Sequence, residues 1–246
     1  MIHVRRPPAH KALSPTIRAE MAAQRQVTNQ LGRHDPDIER VWKNFRATKA
    51  GEGLAKVLRN LFRWKCAYCE RGVTAGTVDH SYPKKRYPKR MFVWGNLLLC
   101  CMECNHAKGE AFRLVNGRPC FLDPTRDQPL EYFVWDLQTG GIAPVPDPQR
   151  EERARITRDH LRLDSGPLRE DRAERVENVI YCLLDVIKQD PIKDTTKNKL
   201  RRSLAIGLPH LGILAYLFHV PNHFTPLVVA ARAKLPEIDT WIAAWV

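Results

Sequence analysis

The reading of this chain turns on residues 66–109: Cys66-Ala-Tyr-Cys69, then Thr77-Val-Asp79-His80, then Trp94-Gly-Asn96, then Cys101-Met-Glu-Cys104-Asn105-His106-Ala-Lys108-Gly109. Two CxxC knuckles separated by thirty-one residues supply four thiolates, the donor set of tetrahedral Zn²⁺ at about 2.3 Å per bond. Four sulfurs leave no open coordination position, so the expected ion is structural. It would pin a loop-rich unit too small to fold on its own core. Cys100 adjoins the second knuckle and competes as a ligand; Cys101 is preferred because it keeps the two-residue spacer. A redox dithiol fits worse, since one CxxC does not need a second. Cys120 and Cys182 read as isolated core cysteines. Seven cysteines, an odd number with four in knuckles, point to reduced thiols rather than a disulfide framework, and to a cytoplasmic protein.

Between and beside the knuckles lie residue types suited to phosphodiester hydrolysis. That reaction needs an activated water, a cation over the developing charge, and help for the leaving oxygen. A neutral histidine is a suitable base near pH 7. A hard Mg²⁺ or Mn²⁺ ion prefers oxygen donors such as Asp and Asn. Adjacent residues on a regular strand face opposite sides, so Asp79 and His80 share a site only if the strand end twists them together. Taken singly, Asp79, His80 and Asn96 are better explained as a turn cap, an exposed imidazole and a turn residue. Their joint register with the knuckles reverses that judgement.

The order CxxC, Asp-His, Gly-Asn, CxxC-Asn, Lys-Gly resembles the HNH, or ββα-metal, nuclease family over residues 66–109. The resemblance implies an α+β fold, mostly α, in which a zinc-stapled ββα-metal core carries N-terminal helices and a helical C-terminal half. It implies His80 as general base, Asp79 as ligand of a catalytic Mg²⁺ or Mn²⁺, and Asn96 as the residue that steadies the loop and orients the base. Asn105 matches the last HNH position, a second metal ligand, although His106 follows directly and competes for the role. Lys108, one helical turn beyond Asn105, is expected to meet a phosphate.

Further out, the formal net charge of +13 is unevenly spread. Residues 1–50 carry +6 and residues 53–113 carry +8, whereas residues 114–246 hold eighteen bases and eighteen acids. This asymmetry suggests a polyanionic partner, with a solvated basic surface as the plain alternative. Lys84, Lys85, Arg86, Lys89 and Arg90, bounded by prolines and interleaved with Tyr87, form a candidate clamp for a nucleic-acid backbone, DNA favoured over RNA. No apolar run approaches the roughly 20 residues of a membrane span, and the basic start lacks an apolar signal region.

Organisation is read as three segments: residues 1–50, an arm and helix; 51–125, the nuclease unit; and 126–246, a β-hairpin followed by helices. The first 35 residues read as a polar arm with a short helix. Ile38, Val41, Trp42 and Phe45 share a helical face; Gly51-Glu-Gly53 is expected to break it; Leu54 to Phe62 resumes. Tyr132 to Val145, with a Thr139-Gly-Gly turn, predicts the hairpin. Helices are expected over roughly 149–162 and 167–189, and shorter ones between Pro191, Pro209, Pro221 and Pro236.

Val4-Arg-Arg-Pro-Pro, Cys66-Ala-Tyr-Cys-Glu70, Phe121-Leu-Asp-Pro-Thr125, Arg155-Ile-Thr157 and Leu161-Arg-Leu163 are similar to the PtuB-like HNH nucleases of Septu-type and retron-associated anti-phage systems. That resemblance implies an SMC/ABC-type, PtuA-like ATPase partner. The charge-neutral second half would be its docking surface or a plain helical cap. The competing readings are a stand-alone HNH restriction-type endonuclease and a non-catalytic zinc-ribbon module. The first would want a more basic C-terminal half; the second would need no Asp-His pair.

Overall fold

A computed structural model of the chain describes residues 1–245, and it is mostly helical α+β with three small two-stranded sheets among them. The N-terminal residues are not a loose arm. After α1 (Ala9–Ala12), Ser14 caps α2 (Pro15–Asn29) by accepting the Ile17 N–H at 3.3 Å, with Pro15 in the first turn where its missing N–H costs nothing. α2 buries Ile17, Met21 and Thr28 and packs on the fourth helix, so the expected polar arm is a core element.

α3 (Asp37–Arg46) buries Ile38, Trp42 and Phe45. Each such side chain contributes about 1.5–3 kcal/mol of hydrophobic stabilisation. The break to α4 (Lys49–Leu61) falls at Ala47-Thr48, not at the glycines, because the Thr48 hydroxyl accepts the Gly51 N–H at 3.1 Å and starts the new helix. Gly51 and Gly53 serve close approach instead. A Cβ on Gly51 would sit 2.2 Å from the Phe45 carbonyl oxygen, and one on Gly53 would meet Ile17.

The first knuckle follows, and then β1 (Thr77–His80) pairs antiparallel with β2 (Leu97–Cys100), Asp79 opposite Leu98 and His80 opposite Leu97. β2 is buried along its whole length. It leads straight into α5 (Met102–Lys108), whose N-cap is Cys101 and which packs on β1.

β3 (Leu114–Val115) pairs with β4 (Arg118–Pro119), and β5 (Phe133–Trp135) with β6 (Ile142–Pro144). The tight turn of the second hairpin comes within touching distance of the long helix below. Gly140 has φ +70°, and a Cβ there would lie 2.0 Å from the Arg169 carbonyl oxygen.

α6 (Glu151–His160) packs on β6. α7 (Gly166–Lys188) packs against α8 (Asp194–Ser203), α9 (Leu211–His219) and α10 (Thr225–Lys234), and α11 (Glu237–Ile242) follows. The buried face of α7 runs through Leu168, Arg172, Val176, Val179, Cys182, Leu183 and Val186. One continuous apolar core joins these helices to α2–α4 and the β1–β2 pair. No helix among the described residues is long and apolar enough to cross a membrane.

Candidate metal centre and catalytic cleft

Cys66, Cys69, Cys101 and Cys104 converge, their sulfurs all within 4.8 Å of one another. Cys69 and Cys101 Sγ are 3.8 Å apart, the edge of a tetrahedron with bonds of about 2.3 Å. The donor set and its size therefore fit a zinc ion, and the cluster could hold one. Cys100, whose Sγ lies 4.0 Å from that of Cys66, ends β2 and stays outside the four-sulfur group.

The knuckle reaches further than its metal. Tyr68, between the first two cysteines, is buried, and its hydroxyl donates to Asp79 Oδ2 at 2.6 Å. Sequence reasoning missed this residue. The available signal was a tyrosine locked between two ligands, since a buried phenol hydroxyl needs a partner.

A cleft of about 220 Å³ is lined by Asp79, His80, Asn105 and Lys108, with Trp42 and Arg46 from α3 on its wall. The end of β1 thus presents both Asp79 and His80 to one site, despite their adjacency. His106 does not line this cleft; it is exposed on a different one beside Cys69, Cys104 and Leu161. Of these two candidate ligands, Asn105 is the one that shares the cleft with Asp79 and His80.

His80 is 5% exposed, its ring edge-on to Trp42 at 4.7 Å between centroids, and its Nε2 lies 3.1 Å from the Met91 carbonyl oxygen. A carbonyl only accepts, so Nε2 carries the proton and Nδ1 keeps the free lone pair. Burial, with the charges of Lys84 and Lys108 adding to it, pushes the imidazole pKa down to about 3, so the ring is neutral near pH 7.

Asp79 is equally buried, and burial alone would favour its neutral form. The Lys108 ammonium 2.8 Å from Oδ1 and the Tyr68 hydroxyl outweigh that, holding its pKa below the usual carboxylate value.

Lys108 is the main revision. It is 2% exposed, and its Nζ donates to Asp79 Oδ1 and, at 2.7 Å, to the His80 carbonyl oxygen. Instead of reaching outward to a phosphate, it ties α5 to the end of β1, because the buried carboxylate is the stronger attraction. Arg46, exposed and without an ion-pair partner among the described residues, is the free cation on the cleft wall, and sequence reasoning missed it too.

Asn96 does not line the cleft. Its Oδ1 accepts the Tyr82 N–H at 2.7 Å, and its Nδ2 donates to the Tyr82 and Arg90 carbonyls at 3.1 and 3.0 Å. It cross-links both ends of the basic loop.

Within that loop Lys84 pairs with Glu39 at 3.0 Å, Lys85 pairs with Glu110, and Arg86 donates to the Phe112 carbonyl at 2.6 Å. Only Lys84 and Lys85 line the cleft; Lys89 and Arg90 are exposed beyond it, the Arg90 guanidinium 3.9 Å over the Tyr82 ring.

The chain is similar to the Septu protein PtuA of Bacillus mycoides (strain KBAB4), 25% identical over an alignment of 187 residues that covers 63% of this chain and 26% of that protein. It is also similar to the Septu protein PtuB of Bacillus thuringiensis, 33% identical over 73 residues, 28% of this chain and 27% of that protein. The chain therefore spans about a quarter of the length of the curated relatives it matches. No protein-family model matches it. A relation to Septu proteins over part of the chain is what these matches establish.

Proposed function

We propose that the protein is a metal-dependent endonuclease of the HNH, ββα-metal type, acting in a Septu-like anti-phage system. The observation that carries this reading is the meeting of Asp79, His80 and Asn105 on one cleft, with the imidazole oriented from behind by the Met91 carbonyl. Two oxygen donors suit a hard divalent ion that completes its shell with water and substrate phosphate. Asp79 keeps lone pairs for such an ion beyond those taken by Tyr68 and Lys108. When bound, the ion would offset charge on the phosphate oxygens.

The chain's own residues supply the rest. His80 Nδ1 accepts a proton from the attacking water, and Trp42 and Met91 fix the ring's plane. Lys108 holds Asp79 and the His80 backbone in place. Arg46 meets the incoming phosphate, with Lys84 and Lys85 at the rim. Asn96 keeps the loop closed over this edge. The four thiolates hold a structural Zn²⁺, and residues 51–125 form the nuclease unit.

The similarity to two Septu proteins supports a defence role, with a PtuA-like ATPase as partner and the helical second half as the surface that receives it. The meeting of these three residues on the cleft disfavours a non-catalytic zinc module, and the uncharged balance of residues 114–246 disfavours a stand-alone DNA reader.

The test is Mg²⁺- or Mn²⁺-dependent cleavage of labelled DNA and RNA, with and without the ATPase encoded beside the gene. His80→Ala should reduce cleavage by at least a hundredfold, in the range of a lost general base, while zinc content and fold persist. Wild-type cleavage by that variant would remove His80 from the mechanism.

A further inference from the structure

A second cleft, of about 720 Å³, lies between the N-terminal strap and the end of α4 and shares no lining residue with the Asp79–His80 cleft. Arg5, Arg6, Lys11, Arg63 and Lys65 line it together with His3, and no aspartate or glutamate does so among the described residues. Arg5, Lys11 and Arg63 are exposed and make no ion pair there.

The two deeper cations are satisfied only by neutral oxygens. Arg6 donates to the Trp94 and Leu97 carbonyls at 2.9 and 2.6 Å and to the Thr125 hydroxyl at 3.2 Å. Lys65 donates to the Ile206 and Leu208 carbonyls at 2.7 and 3.1 Å. Asp123 and Glu70 act on Arg6 and Lys65 through space but hydrogen-bond elsewhere, Glu70 with the Met1 ammonium and Asp123 with Thr125. Burial lowers the Arg6 pKa to about 10. A cationic cleft with no carboxylate in its lining among the described residues is stabilised by an anion that enters it.

Five cations spread over two walls match a row of phosphates better than a single one. Trp64, which follows Arg63 in the chain, is exposed and carries the Arg59 guanidinium 5.2 Å over its ring; bases stack on exposed aromatic faces.

We infer that this cleft is a second phosphate-binding site, which holds a nucleic-acid strand by its backbone apart from the Asp79–His80 cleft. The choice of nucleic acid as the polyanion rests on the function proposed above; the need for an anion does not.

The test compares the full chain with an Arg5→Ala/Lys11→Ala/Arg63→Ala variant, binding a fluorescent oligonucleotide by anisotropy without added divalent ion across a salt series. The three side chains are exposed and unpaired, so folding should persist. Should the triple variant not fold, the single Arg63→Glu variant takes its place. Affinity should fall at least tenfold at 0.1 M salt. The slope of log affinity against log salt should flatten by about 0.7 to 0.9 per lost contact.

Unchanged affinity and slope would overturn the inference. So would a thermal stabilisation by inorganic phosphate or a mononucleotide equal to that by the oligonucleotide, which would make the ligand a small anion. Wild-type cleavage alongside unchanged binding in the variant would sink this cleft and leave the nuclease reading standing. A binding loss in the variant with no cleavage by the wild type would do the reverse.

Discussion

Tyr68→Phe removes one hydroxyl from the junction between the sulfur cluster and the cleft and leaves everything else. The ring is 1% exposed, so the phenyl group still fills its place in the knuckle. What disappears is a 2.6 Å hydrogen bond to the Asp79 carboxylate. A hydrogen bond to a charged group is worth about 1.5–3 kcal/mol. Asp79 retains Lys108 at 2.8 Å, so the loss should stay near 2 kcal/mol and below the roughly 3–5 kcal/mol of a broken buried ion pair. For a chain of this size that corresponds to a fall in Tm of about 4–8 °C.

Urea unfolding at pH 7 measures the energy, and metal analysis of the purified variant measures zinc. The expected result is full zinc content, a stability loss near 2 kcal/mol and weakened divalent-ion-dependent cleavage. A loss below about 0.5 kcal/mol would show that the hydroxyl does not tie the knuckle to Asp79. Loss of zinc in the variant would instead assign the hydroxyl to the sulfur cluster.

Asn105→Ala should weaken Mn²⁺ binding and cleavage together, while His106→Ala leaves both intact; titration calorimetry with Mn²⁺ separates them, and the opposite pattern would restore His106 as the ligand. Cys69→Ser should lower zinc and soluble yield together, and unchanged zinc stoichiometry would rule out the four-thiolate site. Asp127, clamped by Arg153 through two 2.8 Å hydrogen bonds, has its pKa held low against the effect of burial. Its contribution is therefore present above the unfolded value of about 3.9 and is lost as pH falls through the depressed folded value. Asp127→Asn should be less stable at pH 7 and should lose less stability than the wild type on acidification to about pH 3, as followed by circular dichroism melts.

What could be read from the sequence was whatever lies in local spacing. The knuckles, the Asp79-His80 pair, the second hairpin and the long helix are all encoded within a few residues of themselves. The tethers were not legible, because their partners are distant in the chain. Trp42 meets His80 across thirty-seven intervening residues, and Tyr68 meets Asp79 only after the hairpin has closed. Lys108 was misread for a related reason. Helical spacing put it on the same face as Asn105, but only the fold puts a buried carboxylate within its reach. Gly51 and Gly53 looked like helix breakers, and the Phe45 carbonyl and Ile17 explain them as points of close approach. Arg6 falls in the expected polar arm, and the Trp94 and Leu97 carbonyls that hold it lie 88 and 91 residues further along the chain.

The first knuckle is bracketed by Lys65 and Glu70, and both are completed from far downstream, Lys65 by the Ile206 and Leu208 carbonyls and Glu70 by the Gly212 N–H. A fragment cut after residue 125 would take both carbonyl acceptors from the buried Lys65 ammonium and leave the Glu70 carboxylate with the Met1 ammonium but without the Gly212 N–H. During synthesis the cysteines emerge long before those partners do. Dissection of this chain near residue 125 is therefore disfavoured: the C-terminal half supplies donors and acceptors to the loop that carries Cys66 and Cys69.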